Sequence, residues 1–222
     1  MTVRTERRFV AGPAGQIEVM LDWPSSAYTG FVLIGHPHPL YGGTLDNKVV
    51  ATLARAFVGL GWVAVRPNFR GVGASAGTHD EGRGETDDFV HLVETAHRWS
   101  DGALDSARTF ALAGFSFGSF VAAQACVRLT AARRVPANLV LVGAAAGKWP
   151  LSVVPPHTLV IHGELDETIP LVDVFAWARP QELPIVVLPG ADHFFHRRLA
   201  TLKRLVVGHL QARRFDAVAQ ND

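Results

Sequence analysis

The residues Gly114, Phe115, Ser116, Phe117 and Gly118 place one hydroxyl between two glycines, directly behind the apolar run FALAG and ahead of a segment with helical spacing. A sharp strand-to-helix turn would lift Ser116 clear of the backbone, and glycines two before and two after leave room for so tight a fold. With 21 glycines in 222 residues, chance yields on the order of 0.07 such G-x-S-x-G patterns. A serine hydroxyl attacks a carbonyl only when a base takes its proton, and an imidazole base needs a third group to hold its tautomer. His193 follows the run IVVLPG, and Asp166 follows the run LVIHG. The order Ser116, Asp166, His193 therefore supplies nucleophile, orienting acid and base for acyl transfer.

Other residues compete for each role. Ser116 could instead cap a glycine-flanked helix. His36, His38, His162 and His196 also lie near strand ends or loops, but position in the loop behind the final strand selects His193. Glu164 and Asp192 are rivals to Asp166; Glu164 lies tight against the strand end, and Asp192 neighbours the histidine in sequence, which turns its side chain elsewhere.

These residues need elements to hold them. TERRFV and QIEVMLDW flank the turn-forming AGPAG and predict an antiparallel hairpin. Apolar runs then recur at FVLIG (31–35), WVAVR (62–66), FALAG (110–114), LVLVG (139–143), LVIHG (159–163) and IVVLPG (185–190). Short runs rich in Val, Leu and Ile read as strands buried on both faces. Segments with helical spacing alternate with them: NKVVATLARAFVGLG, GETDDFVHLVETAHRW, FGSFVAAQACVRLTAARR, LVDVFAWARP and HRRLATLKRLVVGHLQARR. The pattern predicts one α/β domain over 1–222, with a mostly parallel central sheet, an N-terminal antiparallel hairpin and helices on both faces. Residues from about 214 to 222 are expected to fray as a tail. In such a sheet, ligands bind at the carboxyl ends of the strands, where Ser116, Asp166 and His193 fall.

Composition excludes several classes of partner. The 21 basic and 20 acidic residues leave a formal charge of +1, with no one-signed patch of the kind that binds nucleic acid or a membrane surface. Arg197, Arg198, Lys203 and Arg204 fit the wet face of a helix. The single cysteine, Cys126, permits no intrachain disulfide and reads as a core thiol. The N-terminus lacks the apolar stretch of a secretory signal, and no run reaches the roughly 18 apolar residues of a membrane span, so a cytoplasmic protein is expected.

Taken together, GHPHPLYGGTLDN, RPNFRGVGASAG, GFSFGS, HGELDETIP and GADHFF, in this order over nearly the whole chain, resemble the α/β-hydrolase superfamily. Within it the chain is similar to the small, lidless, dienelactone-hydrolase-like serine hydrolases. The resemblance implies an α/β-hydrolase fold and an ester-hydrolysing triad of Ser116, Asp166 and His193. Dienelactone hydrolases proper use cysteine where this chain has Ser116, so their substrate does not carry over. Residues 144–158 are all that separate LVLVG from LVIHG, so no lid domain is expected.

Acyl transfer also needs backbone N–H groups aimed at the developing oxyanion. Phe117, next after the nucleophile, supplies one. The loop His36-Pro37-His38-Pro39-Leu40 supplies the second; proline carries no N–H, which leaves His38 or Leu40. Resemblance to the HG-x loop of related hydrolases favours His38. Leu40, Tyr41, Phe115, Phe117, Trp149 and Phe194 are candidates for an apolar acyl pocket. A metal at His36 and His38 would need further ligands that the sequence does not place nearby, so neither metal nor cofactor is expected. Arg70 in RPNFRGVGAS reads as structural, and Glu85, Asp87 and Asp88 as acids at a helix start. The expected activity is hydrolysis of small esters with short to medium acyl chains through an acyl-enzyme. The alternatives are action on thioesters, amides or lactones, or a non-catalytic ligand-binding role on the same fold.

Overall fold

The computed structural model describes residues 4–25, 27–104 and 109–219, with side chains described as far as residue 213. The predicted hairpin forms from β1 (Arg4–Gly12) and β2 (Gly15–Trp23), paired antiparallel across the AGPAG turn. The six apolar runs become β3 (Gly30–Gly35), β4 (Trp62–Pro67), β5 (Thr109–Phe115), β6 (Asn138–Val142), β7 (Leu159–Gly163) and β8 (Ile185–Leu188). They join the hairpin in one sheet of order β1-β2-β4-β3-β5-β6-β7-β8; β2 meets β4 antiparallel, and every later pairing is parallel.

Strand alternation sorts side chains to the two faces. Leu33, Val65, Leu112, Leu141 and Val160 face one side, where α2 (Arg83–Glu94), α4 (Phe117–Ala131) and α5 (Leu171–Ala178) pack. Val32, Ile34, Ala113, Val142 and Ile161 face the other, covered by α1 (Lys48–Val58) and α6 (Leu199–Ala219). A single turn, α3 (Ala96–Trp99), follows α2 after a break at Thr95. Cys126 lies buried within α4, as its apolar neighbours predict. Between β6 and β7 the chain forms only turns and irregular segments, with no helix or strand that could build a lid. Helix α6 continues to Ala219 and takes in most of the stretch expected as a tail; residues 220–222 lie outside the described residues. Of the late basic cluster, Arg197 and Arg198 precede α6, and all four side chains are exposed. No helix among the described residues is long and apolar enough to cross a membrane.

The topology brings the chemistry together. Chain order reverses between β3 and β5, which is where open α/β sheets bind ligands. Register aligns Gly35 with Gly114 and Gly163 with Leu188, so the loops carrying His38, Ser116, Asp166 and His193 leave the same edge.

Candidate active site

Ser116 sits between β5 and α4 with φ 55° and ψ −124°. A non-glycine residue at positive φ costs on the order of 1–3 kcal/mol and persists only when its surroundings impose it. Here the Ser116 N–H donates to Val142 O at 2.9 Å, and Ser116 O accepts from the Ser119 N–H at 2.8 Å and the Ser119 hydroxyl at 2.6 Å. Both flanking glycines are sterically required. A Cβ on Gly114 would lie 2.0 Å from Gly118 O, and one on Gly118 would lie 2.3 Å from Gly35 O. Ser116 occupies the N-cap position of α4, yet its side chain makes no capping bond. Its Oγ lies 3.0 Å from His193 Nε2 instead, which removes the capping role considered from sequence.

His193 Nδ1 lies 2.6 Å from Asp166 Oδ2. The other Asp166 oxygen, Oδ1, accepts the N–H groups of Thr168 at 2.9 Å and Ile169 at 2.7 Å, so the carboxylate is locked in place. With the carboxylate as acceptor, the Nδ1 proton stays on His193 and a lone pair at Nε2 faces Ser116. All three side chains are buried. The rival acids are occupied elsewhere: Glu164 accepts the Gly190 N–H at 2.8 Å, and Asp192 pairs with His196 Nδ1 at 2.6 Å on the surface.

Beyond β3, the loop turns through Pro39–Tyr41, and the Leu40 N–H donates to His38 Nδ1 at 3.2 Å. That bond takes Leu40 out of the choice between the two loop donors. Among the described residues, no other group accepts the N–H of His38 or of Phe117. The Phe117 N–H also lies in the first turn of the 15-residue α4, whose dipole favours negative charge.

A cavity of about 280 Å³ opens beside Ser116 and His193. Tyr41, Phe117, Trp149 and Phe194 line it as expected. Phe115 does not: it shares a strand face with Ala111 and Ala113, is fully buried, and packs 5.0 Å from the His193 ring. Leu40 also stands outside the lining and is exposed. Lining residues that the sequence reading missed include Asn47, Lys148, Thr168 and Ile169. Asn47 closes the motif GHPHPLYGGTLDN, and Thr168 and Ile169 lie in HGELDETIP, but neither motif marks them as pocket walls. A larger cavity of about 540 Å³ lies elsewhere, around Arg55 and Lys203, and contains none of the candidate triad.

The remaining polar candidates are structural. His36 is wholly buried; its Nδ1 lies 2.6 Å from Pro37 O, and its Nε2 accepts the Phe69 N–H at 2.9 Å. Both ring nitrogens are thus committed to backbone, and burial lowers its pKa to about 4. No group of three or more His, Cys, Asp or Glu with metal-binding geometry occurs among the described residues. Arg70 forks onto Asp88 at 2.7 and 3.0 Å. Glu85 accepts the Gly82 N–H at the start of α2 and pairs with His79 Nδ1 at 2.8 Å.

No protein-family model matches the chain. An α/β serine hydrolase without a lid from Xanthomonas campestris superposes with a TM-score of 0.84 and 34% identity, covering 96% of each chain. The chain belongs to the lidless α/β serine hydrolases. A second such hydrolase homologue, from Coxiella burnetii, is 38% identical over 92% of this chain and 97% of its own, with a TM-score of 0.76. An uncharacterized protein of Rickettsia prowazekii is 29% identical over 90% of this hydrolase and 86% of its own length. The hydrolase thus has the fold that the sequence motifs implied, with the eight-stranded sheet and no lid.

Proposed function

We propose that this hydrolase cleaves carboxylic esters of short to medium acyl chains, with Ser116 as nucleophile, His193 as base and acid, and Asp166 as the group that orients His193. The observation that carries the reading is the unbroken hydrogen-bonded chain from Ser116 Oγ through His193 to the pinned Asp166 carboxylate.

In the first step Ser116 Oγ bonds to the ester carbonyl carbon while its proton passes to His193 Nε2. The carbonyl oxygen becomes an oxyanion, held by the N–H groups of Phe117 and His38. Collapse of this intermediate breaks the ester C–O bond, and the alcohol leaves with the proton from His193. Water then attacks the acyl-enzyme, giving its proton to the same nitrogen; the carboxylic acid departs and Ser116 is reprotonated. A cavity of about 280 Å³ without a lid fits small acyl groups better than an emulsified lipid.

A fluorophosphonate probe tests the nucleophile: labelling at Ser116, absent in Ser116→Ala and unaffected by a chelator, is the expected result. A panel of 4-nitrophenyl esters of increasing acyl length tests the substrate class. Peak activity on long-chain emulsions would overturn the assignment to short and medium chains.

A further inference from the structure

The polar side chains in the cavity beyond Ser116 and His193 have a one-sided chemistry. They are His38, Asn47, Lys148, Tyr41 and Thr168, and no Asp or Glu lines the cavity. Two of these can be oriented from their bonds. Asn47 Oδ1 accepts the Val49 and Val50 N–H groups at 2.9 and 3.4 Å, so its amide hydrogens turn away from α1. His38 Nδ1 accepts the Leu40 N–H, which places the proton of the neutral ring on Nε2. Burial, with smaller contributions from nearby His79 and Lys148, lowers the His38 pKa against the opposing pull of Glu85.

Lys148 is held at the backbone and unpaired at its head. Its loop is fixed by the Ala145 N–H donating to Ser119 Oγ at 3.0 Å and the Trp149 N–H donating to Ala145 O at 3.2 Å. Trp149 stacks on Phe120 with ring centres 5.3 Å apart. Asp173 packs against Gly147, one residue earlier, yet Lys148 has no ion pair among the described residues.

We propose that the preferred substrates are esters bearing a carboxylate near the scissile bond, with Lys148 as its counter-charge and His38 Nε2–H and Asn47 Nδ2–H as further donors. The inference rests on the ester-hydrolase reading above. A carboxylate only accepts hydrogen bonds, which matches a wall of donors around one cation. Lys148 is exposed at the cavity rim, whereas His38 and Asn47 are half-buried, so a wholly apolar acyl chain would leave those two donors unmatched. An ammonium-bearing ester would be repelled by Lys148.

The carboxylate could sit on either side of the ester, and two substrate pairs separate these sources. Mono-4-nitrophenyl glutarate against 4-nitrophenyl pentanoate places it on the acyl side. The acetyl ester of 4-hydroxybenzoate against that of methyl 4-hydroxybenzoate places it on the alcohol side. In at least one pair the anionic ester should have the higher kcat/KM, by about tenfold. That ratio should fall with added salt, collapse in Lys148→Met, drop further in Lys148→Glu and be largely kept in Lys148→Arg. An anionic-to-neutral ratio at or below one in both pairs, or a ratio that Lys148→Glu leaves unchanged, overturns the inference while leaving ester hydrolysis intact. If wild type turns over none of the four esters and the fluorophosphonate probe does not label Ser116, the ester reading fails and the inference falls with it.

Discussion

Asp166 makes a sharper test of the proposed mechanism than the nucleophile does. Its Oδ1 already accepts two backbone N–H groups, so in Asp166→Asn the amide oxygen keeps those bonds and the NH₂ faces His193 Nδ1. The histidine must then accept at Nδ1 and carry its proton on Nε2, where it can no longer take one from Ser116. A loss of about 10⁴ in kcat with little change in KM is expected, read from steady-state ester hydrolysis. A loss confined to KM would contradict an orienting role. Ser116→Ala should lower kcat at least as far and abolish fluorophosphonate labelling.

The turn between β5 and α4 works only because two backbones pass within contact distance. In Gly118→Ala the new Cβ meets Gly35 O at 2.3 Å and His36 O at 2.6 Å, so β3 and α4 must separate. The expected result is a stability loss of at least about 2 kcal/mol, since overpacking against rigid backbone cannot relax. Urea denaturation checks the stability, and loss of Ser116 labelling checks the site. The loop after β4 depends on a different contact: Arg70 reaches Asp88 on α2 across Gly84, where a Cβ would lie 2.0 Å from the guanidinium. Removing the arginine leaves a buried carboxylate whose pKa burial already raises. Arg70→Ala should cost about 3–5 kcal/mol by urea denaturation at neutral pH. A cost below about 1 kcal/mol would place the pair among weak surface bridges.

Stability of the whole molecule should depend on acid through His36. Its folded pKa of about 4 lies below the ordinary 6.5, so protons bind the unfolded chain more readily. The sign follows: His36 leaves stability untouched above pH 6.5 and withdraws it as pH falls toward 4, by on the order of 3 kcal/mol in all. Burial depresses His162 in the same direction. The difference between wild type and His36→Gln in urea midpoint across pH 7 to about 4 isolates His36, and the variant should show the flatter profile. Equal slopes would remove His36 from the acid sensitivity.

The strands, their order along the chain and the positions of Ser116, Asp166 and His193 were legible because each leaves a local mark. Buried strands are short apolar runs, the turn at Ser116 demands glycines on either side, and parallel strands send their carboxyl-end loops to one edge. Even the inward direction of Phe115 was available, since it stands two residues from Ala113 on the same strand. What depended on long-range packing was not legible. Strand order sends the loops of Asn47, Lys148 and Ile169 to one edge, but their convergence on one cavity was decided by the tertiary fold. Local sequence constrains the backbone over a few residues, whereas the direction and partner of a polar side chain are set by whatever the fold brings against it.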